Sequence, residues 1–362
     1  MDNFDINNPQ FDPLAPESIK YYKVILIDES SMLNQDSFDL ILKKAKQYGV
    51  RIIFLGDAYQ LPPIKERISK VFTHVSNRSR LETIVRQSDD NPTADFLLGI
   101  REDIKNDNDA NLERFIEQGS RVIGDRGYKI QKNTDFGADL LHFLRTTEYE
   151  YDPMHIRYLT WTNKSVMSWS EALRKQVLGD RSMDKLIEGE SLIGYTTITD
   201  YRTKEISLQN SETYTVDSLT DYESGYGVKG YLAVLLDSEG NEFEHFVVND
   251  EGLDTFKEQA FTLWRAAIDA DYKTRKRAWG KYYSFKENHL LLQDTHHNGM
   301  RVSKDLYYAY GMTVHKSQGS TFTNTAINLR DIDRNRVSRE RRRLAYVALS
   351  RCRNMNLILA LK

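Results

Sequence analysis

Val24-Ile25-Leu26-Ile27 is an uninterrupted apolar run, the pattern of a strand covered on both faces in a parallel sheet, and Arg51-Ile52-Ile53-Phe54-Leu55 nearly repeats it. Residues 38–47 and 94–105 carry helical periodicity, so the stretch 21–147 follows the strand–helix rhythm of a parallel sheet with helices on its faces. The rhythm returns near Ile156, with Arg157-Tyr158-Leu159-Thr160 as a strand and 165–177 as a helix. It resumes near Ser303 and ends in a final strand at 356–361. Between these parts, residues 189–248 alternate apolar and polar around a turn at Asp237-Ser238-Glu239-Gly240-Asn241, which predicts a small β-barrel. Residues 253–286, rich in Lys, Arg, Ala and aromatics, predict a helical projection. The expected fold is α/β, with two parallel-sheet lobes. The first lobe (21–147) is incomplete, and the second (148–188 and 301–362) carries an inserted barrel and helical projection (189–300), with 1–20 as an extended remnant.

The chemistry sits at the ends of the predicted strands. The first run closes on Asp28-Glu29, where one carboxylate can hold Mg²⁺ and its neighbour can polarise a water that attacks a γ-phosphate. After the second run comes Gly56-Asp57-Ala58-Tyr59-Gln60-Leu61-Pro62-Pro63, a sharp turn from which Gln60 can reach the same phosphate. Arg86-Gln87 offers a cation for that phosphate. Far downstream lie Thr313-Val314-His315-Lys316-Ser317-Gln318-Gly319-Ser320 and Tyr346-Val347-Ala348-Leu349-Ser350-Arg351. A G-x-x-x-x-G-K-[ST] loop would ordinarily cradle the phosphates. None occurs in the 362 residues, and none of the 23 residues before Val24 is glycine.

This ordered set resembles the superfamily 1 helicases, in particular the 5′→3′ Dda/RecD-like branch, over most of the chain. The resemblance implies two RecA-like motor lobes that bind ATP and Mg²⁺ between them and step along single-stranded DNA up to duplex junctions. It gives Asp28 (the metal ligand), Glu29, Gln60, Arg86 and Arg351 catalytic roles, with Arg351 as an arginine finger pointing into the cleft. Gly56, Asp57, Gln318 and Gly319 would contact the nucleotide. Trp161, Thr162, Asn163, Lys164, Thr313 and His315 would grip DNA, with Trp161 suited equally to stacking on a base or to packing. The insertion is similar to the barrel-plus-tower of Dda-type helicases. The phosphate loop is the departure from the pattern: the chain reads as beginning inside or just after a small hairpin domain, with the loop on a separate or missing upstream polypeptide.

Composition narrows the field. A single cysteine, Cys352, excludes a disulfide framework and a cysteine-rich zinc site, and reads as a packing residue. The first 19 residues hold no Lys or Arg, so no targeting presequence is expected, and no apolar run reaches the ~20 residues of a membrane helix. The expected setting is the cytoplasm of a bacterial or phage-infected cell. A net charge of −3 argues against indiscriminate nucleic-acid binding, although eight arginines fall between Arg334 and Arg353. Arg339, Arg341, Arg342 and Arg343 among them read as a solvated helix face paired with Glu340. Trp169, Trp264 and Trp279 read as packing, and His296-His297 as a polar turn. An ATPase-inactive nucleic-acid-binding or accessory fragment is the alternative function. A nuclease subunit has no acidic metal constellation behind it.

Overall fold

The computed structural model describes residues 18–63, 65–81, 90–199 and 206–360. β1 (Val24–Ile27) and β2 (Arg51–Phe54) pair in parallel and are joined by α1 (Gln35–Tyr48). The Asn34 side chain caps the start of α1 by accepting the Ser37 N–H, and Gly49, at φ 67°, ends it. Phe38 of α1 packs on Phe54 with ring centres 5.6 Å apart, covering one face of the strand pair. The other face is open: Leu26, Ile53 and Leu55 are 62, 47 and 43% exposed. Neither strand has a further neighbour among the described residues. These apolar runs are the pattern of central strands, and here they stand at an edge.

A short helix, α2 (Val71–His74), follows. Then come α3 (Thr93–Asn106), α4 (Ala110–Gln118), β3 (Arg121–Ile123), β4 (Arg126–Gln131), α5 (Asn133–Leu144), α6 (Thr147–Tyr151), β5 (Ile156–Thr160) and α7 (Asn163–Leu178). The insertion holds β6 (Ser191–Gly194), β7 (Ile198–Thr199), β8 (Ile206–Leu208), β9 (Thr213–Glu223), β10 (Lys229–Leu236) and β11 (Glu242–Val248). It continues through α8 (Leu253–Asp269), α9 (Tyr272–Glu287), β12 (Thr295–His297), β13 (Met300–Val302) and β14 (Leu306–Tyr308). The chain closes with β15 (Gly311–Thr313), β16 (Asn324–Asn328), α10 (Leu329–Ile332), α11 (Ser338–Ser350) and β17 (Met355–Leu359).

The main sheet has the order β15-β5-β16-β17-β4-β3, parallel except for the β3–β4 pair. β5, β16 and β17 are buried along their whole length, as central parallel strands are. Alternate side chains feed two cores. Tyr158, Leu357 and Leu359 meet Phe136, Leu140 and Leu173 on the α5–α7 side. Leu159, Ile327 and Ile358 meet Phe96, Ile100, Leu344 and Leu349 on the α3–α11 side. This corrects the expected first-lobe boundary at 147. From Thr93 onward the chain packs on the second sheet, because β4 pairs with β17 and α3 buries its apolar stripe against α11. Local pattern announces a strand; it does not say which sheet receives it.

β14 likewise leaves the second lobe and pairs with β6 in an antiparallel sheet of order β11-β10-β9-β6-β14. Among the described residues this sheet is open, where a closed barrel was expected. Alternation specifies strands, whereas closure depends on the tilt and stagger of the whole sheet. α8 and α9 form a helical hairpin beyond it, with Phe256, Ala260, Tyr282 and Phe285 at its core and Trp264 and Trp279 packed alongside. No described helix is long and apolar enough to cross a membrane.

One buried residue breaks the usual pairing rule. Arg157 on β5 is 0% exposed. Its Nη2 donates to Pro153 O (3.2 Å) and Thr213 Oγ1 (3.4 Å), and the guanidinium lies 5.3 Å from the Phe322 ring centre. Nε and Nη1 have no hydrogen-bond partner among the described residues. Burial pulls its pKa down. An apolar replacement of similar length removes that desolvation cost. Arg157→Met should therefore leave the thermal unfolding midpoint unchanged or raise it. A fall of more than about 5 °C in a scanning melt would show that the Nε and Nη1 groups find partners in solution.

Candidate nucleotide cleft and nucleic-acid edge

Asp28 and Glu29 stand at the C-terminal end of β1. The Glu29 N–H donates to Asp28 Oδ1 (2.7 Å), and Glu29 itself adopts φ 48°, ψ 34°, a left-handed turn. Ser30 then crosses over the end of β2, its N–H and hydroxyl both donating to Leu55 O (2.9 and 2.6 Å). The crossing explains Gly56, where a Cβ would stand 2.8 Å from Ser30 Oγ and 3.0 Å from Ser31 N. Ser31 Oγ is buried with no partner among the described residues. The expected Arg86 lies outside the described residues.

The turn after β2 reaches across to the second sheet, and this contact forms a cleft. Asp57 Oδ1 accepts from the Tyr59 N–H (2.9 Å) and Oδ2 from the Tyr346 hydroxyl (2.7 Å), with Arg101 Nη2 3.6 Å from the same Oδ2. Arg101 also donates to the Tyr346 hydroxyl and stacks 5.4 Å from the ring centres of both Tyr59 and Tyr346. Arg343 Nη1 donates to the Ala58 and Gln60 carbonyls. Burial, together with the nearby Arg339, pulls the Arg343 pKa down to about 10. Gln318 Nε2 donates to Gln60 Oε1 at 3.4 Å, and Gln318 Oε1 is buried without a partner among the described residues. Gly319 takes φ 81°, a turn that favours glycine. Gln60, Asp57, Gln318 and the motif around Tyr346 are thus brought together from both sheets.

Three readings of α11 change. Arg342 is buried and bonded to Asp107 and Asp109, and Arg341 pairs with Asp109 at 2.9 Å. Arg343 grips the Ala58–Gln60 turn. The Asp107 and Asp109 carboxylates of the α3–α4 turn and the carbonyls of the Ala58–Gln60 turn make a buried arginine face tolerable, and local sequence does not reveal them. Glu340, the expected partner, lies 3.8 Å from His315 Nε2 instead. Arg351 is 1% exposed: its Nη2 donates to Ser350 Oγ (3.0 Å) and its Nη1 to Ser320 O (3.4 Å). In this conformation it is bonded within the second lobe, whereas the resemblance implies a finger pointing into the cleft. Cys352 is buried, and burial pushes its thiol up to about 12.

The other candidate edge lies at the C-terminal ends of β5 and β15, where Thr160 stands beside Thr313 in register. Asp331, from α10, organises it. Its Oδ2 accepts from the Thr160 hydroxyl (2.7 Å), the Trp161 N–H (3.1 Å), the Thr162 N–H (2.8 Å) and the Thr162 hydroxyl (3.0 Å). Thr162 caps α7, leaving Asn163 and Lys164 exposed in its first turn. Trp161 is half-buried against the α3–α11 core. Thr313 is buried, its hydroxyl accepting from the Lys316 N–H (3.4 Å), and burial lowers the His315 pKa. Lys316 Nζ donates to Gly194 O (3.0 Å) and Asn210 Oδ1 and lies 4.0 Å from the Tyr195 ring centre. Burial pulls its pKa down to about 8.

Sequence reasoning missed Asp331, Arg343 and Arg101. Only Asp331 carried a local signal, since Asn328 accepts the Asp331 N–H and so marks a capped turn at a strand end. A cavity of about 1220 Å³ opens beside Gly319 and Phe322, but Asp28, Glu29, Gly56 and Gln60 do not line it.

Residues 8–123 match the AAA domain family. The chain is 22% identical over 368 residues to Uncharacterized protein R530 of Acanthamoeba polyphaga mimivirus, a match spanning 91% of this chain and 72% of that one. Among solved structures it is similar to a Pif1 helicase from Bacteroides in complex with ADP-AlF3 and ssDNA, at 16% identity and TM-score 0.49, over 96% of this chain and 74% of the other. It is also similar to the Pif1 helicase from Candida albicans, at 18% identity and TM-score 0.48, over 94% and 72%. The family match thus falls on the first third of the chain.

Proposed function

We propose that the chain is the greater part of an ATP-dependent DNA helicase, translocating 5′→3′ on single-stranded DNA. The observation that carries this reading is the clamp across the cleft. Asp57 and Gln60, at the end of one parallel sheet, bond Tyr346, Arg101, Arg343 and Gln318 of the other. A nucleotide phosphate entering between Gln60 and Gln318 would alter this contact directly, so occupancy and lobe spacing become linked. The AAA domain match over residues 8–123 supports an ATPase.

The residues suit Mg²⁺ and ATP. Asp28 is an exposed carboxylate at a strand end, Ser31 Oγ lacks a partner beside it, and the described residues hold no cluster of three or more His, Cys, Asp or Glu. One carboxylate plus nucleotide phosphates and waters is the ordinary manner of holding Mg²⁺. When bound, the ion neutralises phosphate charge. Glu29 would draw the proton from the attacking water, and Gln60 would report the γ-phosphate to Gln318. Arg351 would reach the same phosphate after releasing Ser320 O, with Arg86 as a second cation. Trp161, Thr162, Asn163, Lys164, Thr313 and His315 would hold the strand by its phosphates, giving sequence-tolerant, salt-sensitive binding.

A phosphate-cradling loop is absent from the sequence, and the open apolar face of β1 and β2 supports a further strand–helix layer supplied by another polypeptide segment. The test follows. The chain alone should bind ATP-Mg²⁺ weakly and hydrolyse little. With a segment carrying the loop, added in cis or in trans, DNA-stimulated hydrolysis should appear, with unwinding of duplexes bearing a 5′ single-stranded tail. Strong DNA-stimulated turnover by the chain alone would remove the need for the loop. Unwinding of only 3′-tailed duplexes would reverse the polarity.

A further inference from the structure

We infer that the solvent face of α9 is a docking surface for the phosphate backbone of duplex nucleic acid. The inference rests on the nucleic-acid reading above and adds a second, separate contact. α9 carries six basic residues against one acidic, in a chain whose net charge is −3. Tyr282 and Phe285 turn into the hairpin core. By helical spacing, Lys273, Lys276, Arg277, Gly280 and Ser284 share the opposite side, with Lys281 and Tyr283 flanking it.

A basic helix face is most often a solvated one balanced by nearby acids. The neighbouring helix shows that balance: Lys257 of α8 pairs with Asp254 at 2.9 Å, and Arg265 with Asp269 at 3.1 Å. Lys273, Lys276, Arg277 and Lys281 of α9 have no ion pair among the described residues, and all four are exposed. Their mutual repulsion is left for a polyanion to relieve. Shape points the same way. A Cβ built at Gly280 meets nothing within 4 Å, and Ser284 is exposed one turn on, so the middle of the face is low while cations stand at its N-terminal end and side. A rigid strand of phosphates can lie close along such a helix. Single-strand binding would instead call for a groove with stacking platforms, and α9 is convex. Tyr283, 52% exposed and stacked on Trp279 at 5.6 Å between ring centres, is fixed at the flank as a wall.

The test compares the full chain with the fourfold variant Lys273→Gln, Lys276→Gln, Arg277→Gln, Lys281→Gln. Equilibrium binding is followed against salt for a blunt duplex and for a single-stranded oligonucleotide, with thermal melts to verify the fold. Each neutralised phosphate contact contributes about 0.9 to the slope of log affinity on log salt. With four cations removed, the variant should therefore lose up to about 3.6 of that slope on duplex and about tenfold or more in affinity, while single-strand binding stays as it was. Gly280→Glu, which keeps every cation and has room for its side chain, should also weaken duplex binding alone. Equal duplex affinity and slope in parent and variants would overturn the inference and leave the face to an acidic protein. Equal losses on duplex and single strand would overturn it too, since one shared site would then serve both. A parent chain that binds neither nucleic acid would defeat the helicase reading as well.

Discussion

In a motor completed by a phosphate-binding loop, Glu29→Gln will bind ATP as the parent does and hydrolyse it at least about 100-fold more slowly. The substitution keeps the length and planarity of the side chain and removes its ability to take a proton. The Asp28 carboxylate, fixed by the Glu29 N–H at 2.7 Å, is left in place. Nucleotide affinity depends on the cradle and on the metal ligand, neither of which changes. Single-turnover hydrolysis set beside equilibrium binding of a labelled nucleotide separates the two quantities. Weakened binding with unchanged hydrolysis per bound ATP would mean that Glu29 holds nucleotide and another group activates water.

The second large effect is structural, at a residue no motif marks. Asp331→Ala removes the acceptor for the Thr160 hydroxyl, the Trp161 and Thr162 N–H groups and the Thr162 hydroxyl. Asp331 is 3% exposed, and Thr160 and Thr313 beside it are also buried. Orphaning buried donors around a deleted carboxylate costs about 3–5 kcal/mol. The melting midpoint should fall by about 10 °C, and single-strand affinity should fall with it as the Trp161–Lys164 turn loosens. Asp331→Asn keeps one acceptor oxygen and should lose distinctly less. A variant Asp331→Ala that melts with the parent would show that the turn is held by its packing.

The strands and the turns at their ends were legible because each is encoded within a few residues. β1 is wholly apolar and β2, β5 and β17 are mostly so, and Gly56 and Gly319 mark sharp chain reversals where side chains would collide or strain. What escaped the sequence was long-range pairing. Arg342 is buried because Asp107 and Asp109 arrive from more than 200 positions away, and a run of arginines read alone looks solvated. β3 and β4 fall within 21–147, the span expected for the first lobe, but β4 bonds to β17, a partner more than 200 positions away that local sequence does not announce. The clamp across the cleft was half legible. Asp57, Gln60 and Gln318 lay in recognisable segments, whereas Arg101 and Arg343 are ordinary helix residues until the fold brings them to Tyr346 and to the Ala58–Gln60 turn.

The left-handed backbone at Glu29 sets stability against activity at a single residue. A side chain with a Cβ held there costs about 1–2 kcal/mol that glycine, or to a lesser extent asparagine, would avoid. Glu29→Gly should thus be tolerated by the fold, even slightly favoured, while on the proposed reading it strips the site of its proton acceptor. Selection for thermal stability alone would drift toward glycine here, so on the proposed reading a glutamate at this left-handed position is kept by selection for catalysis.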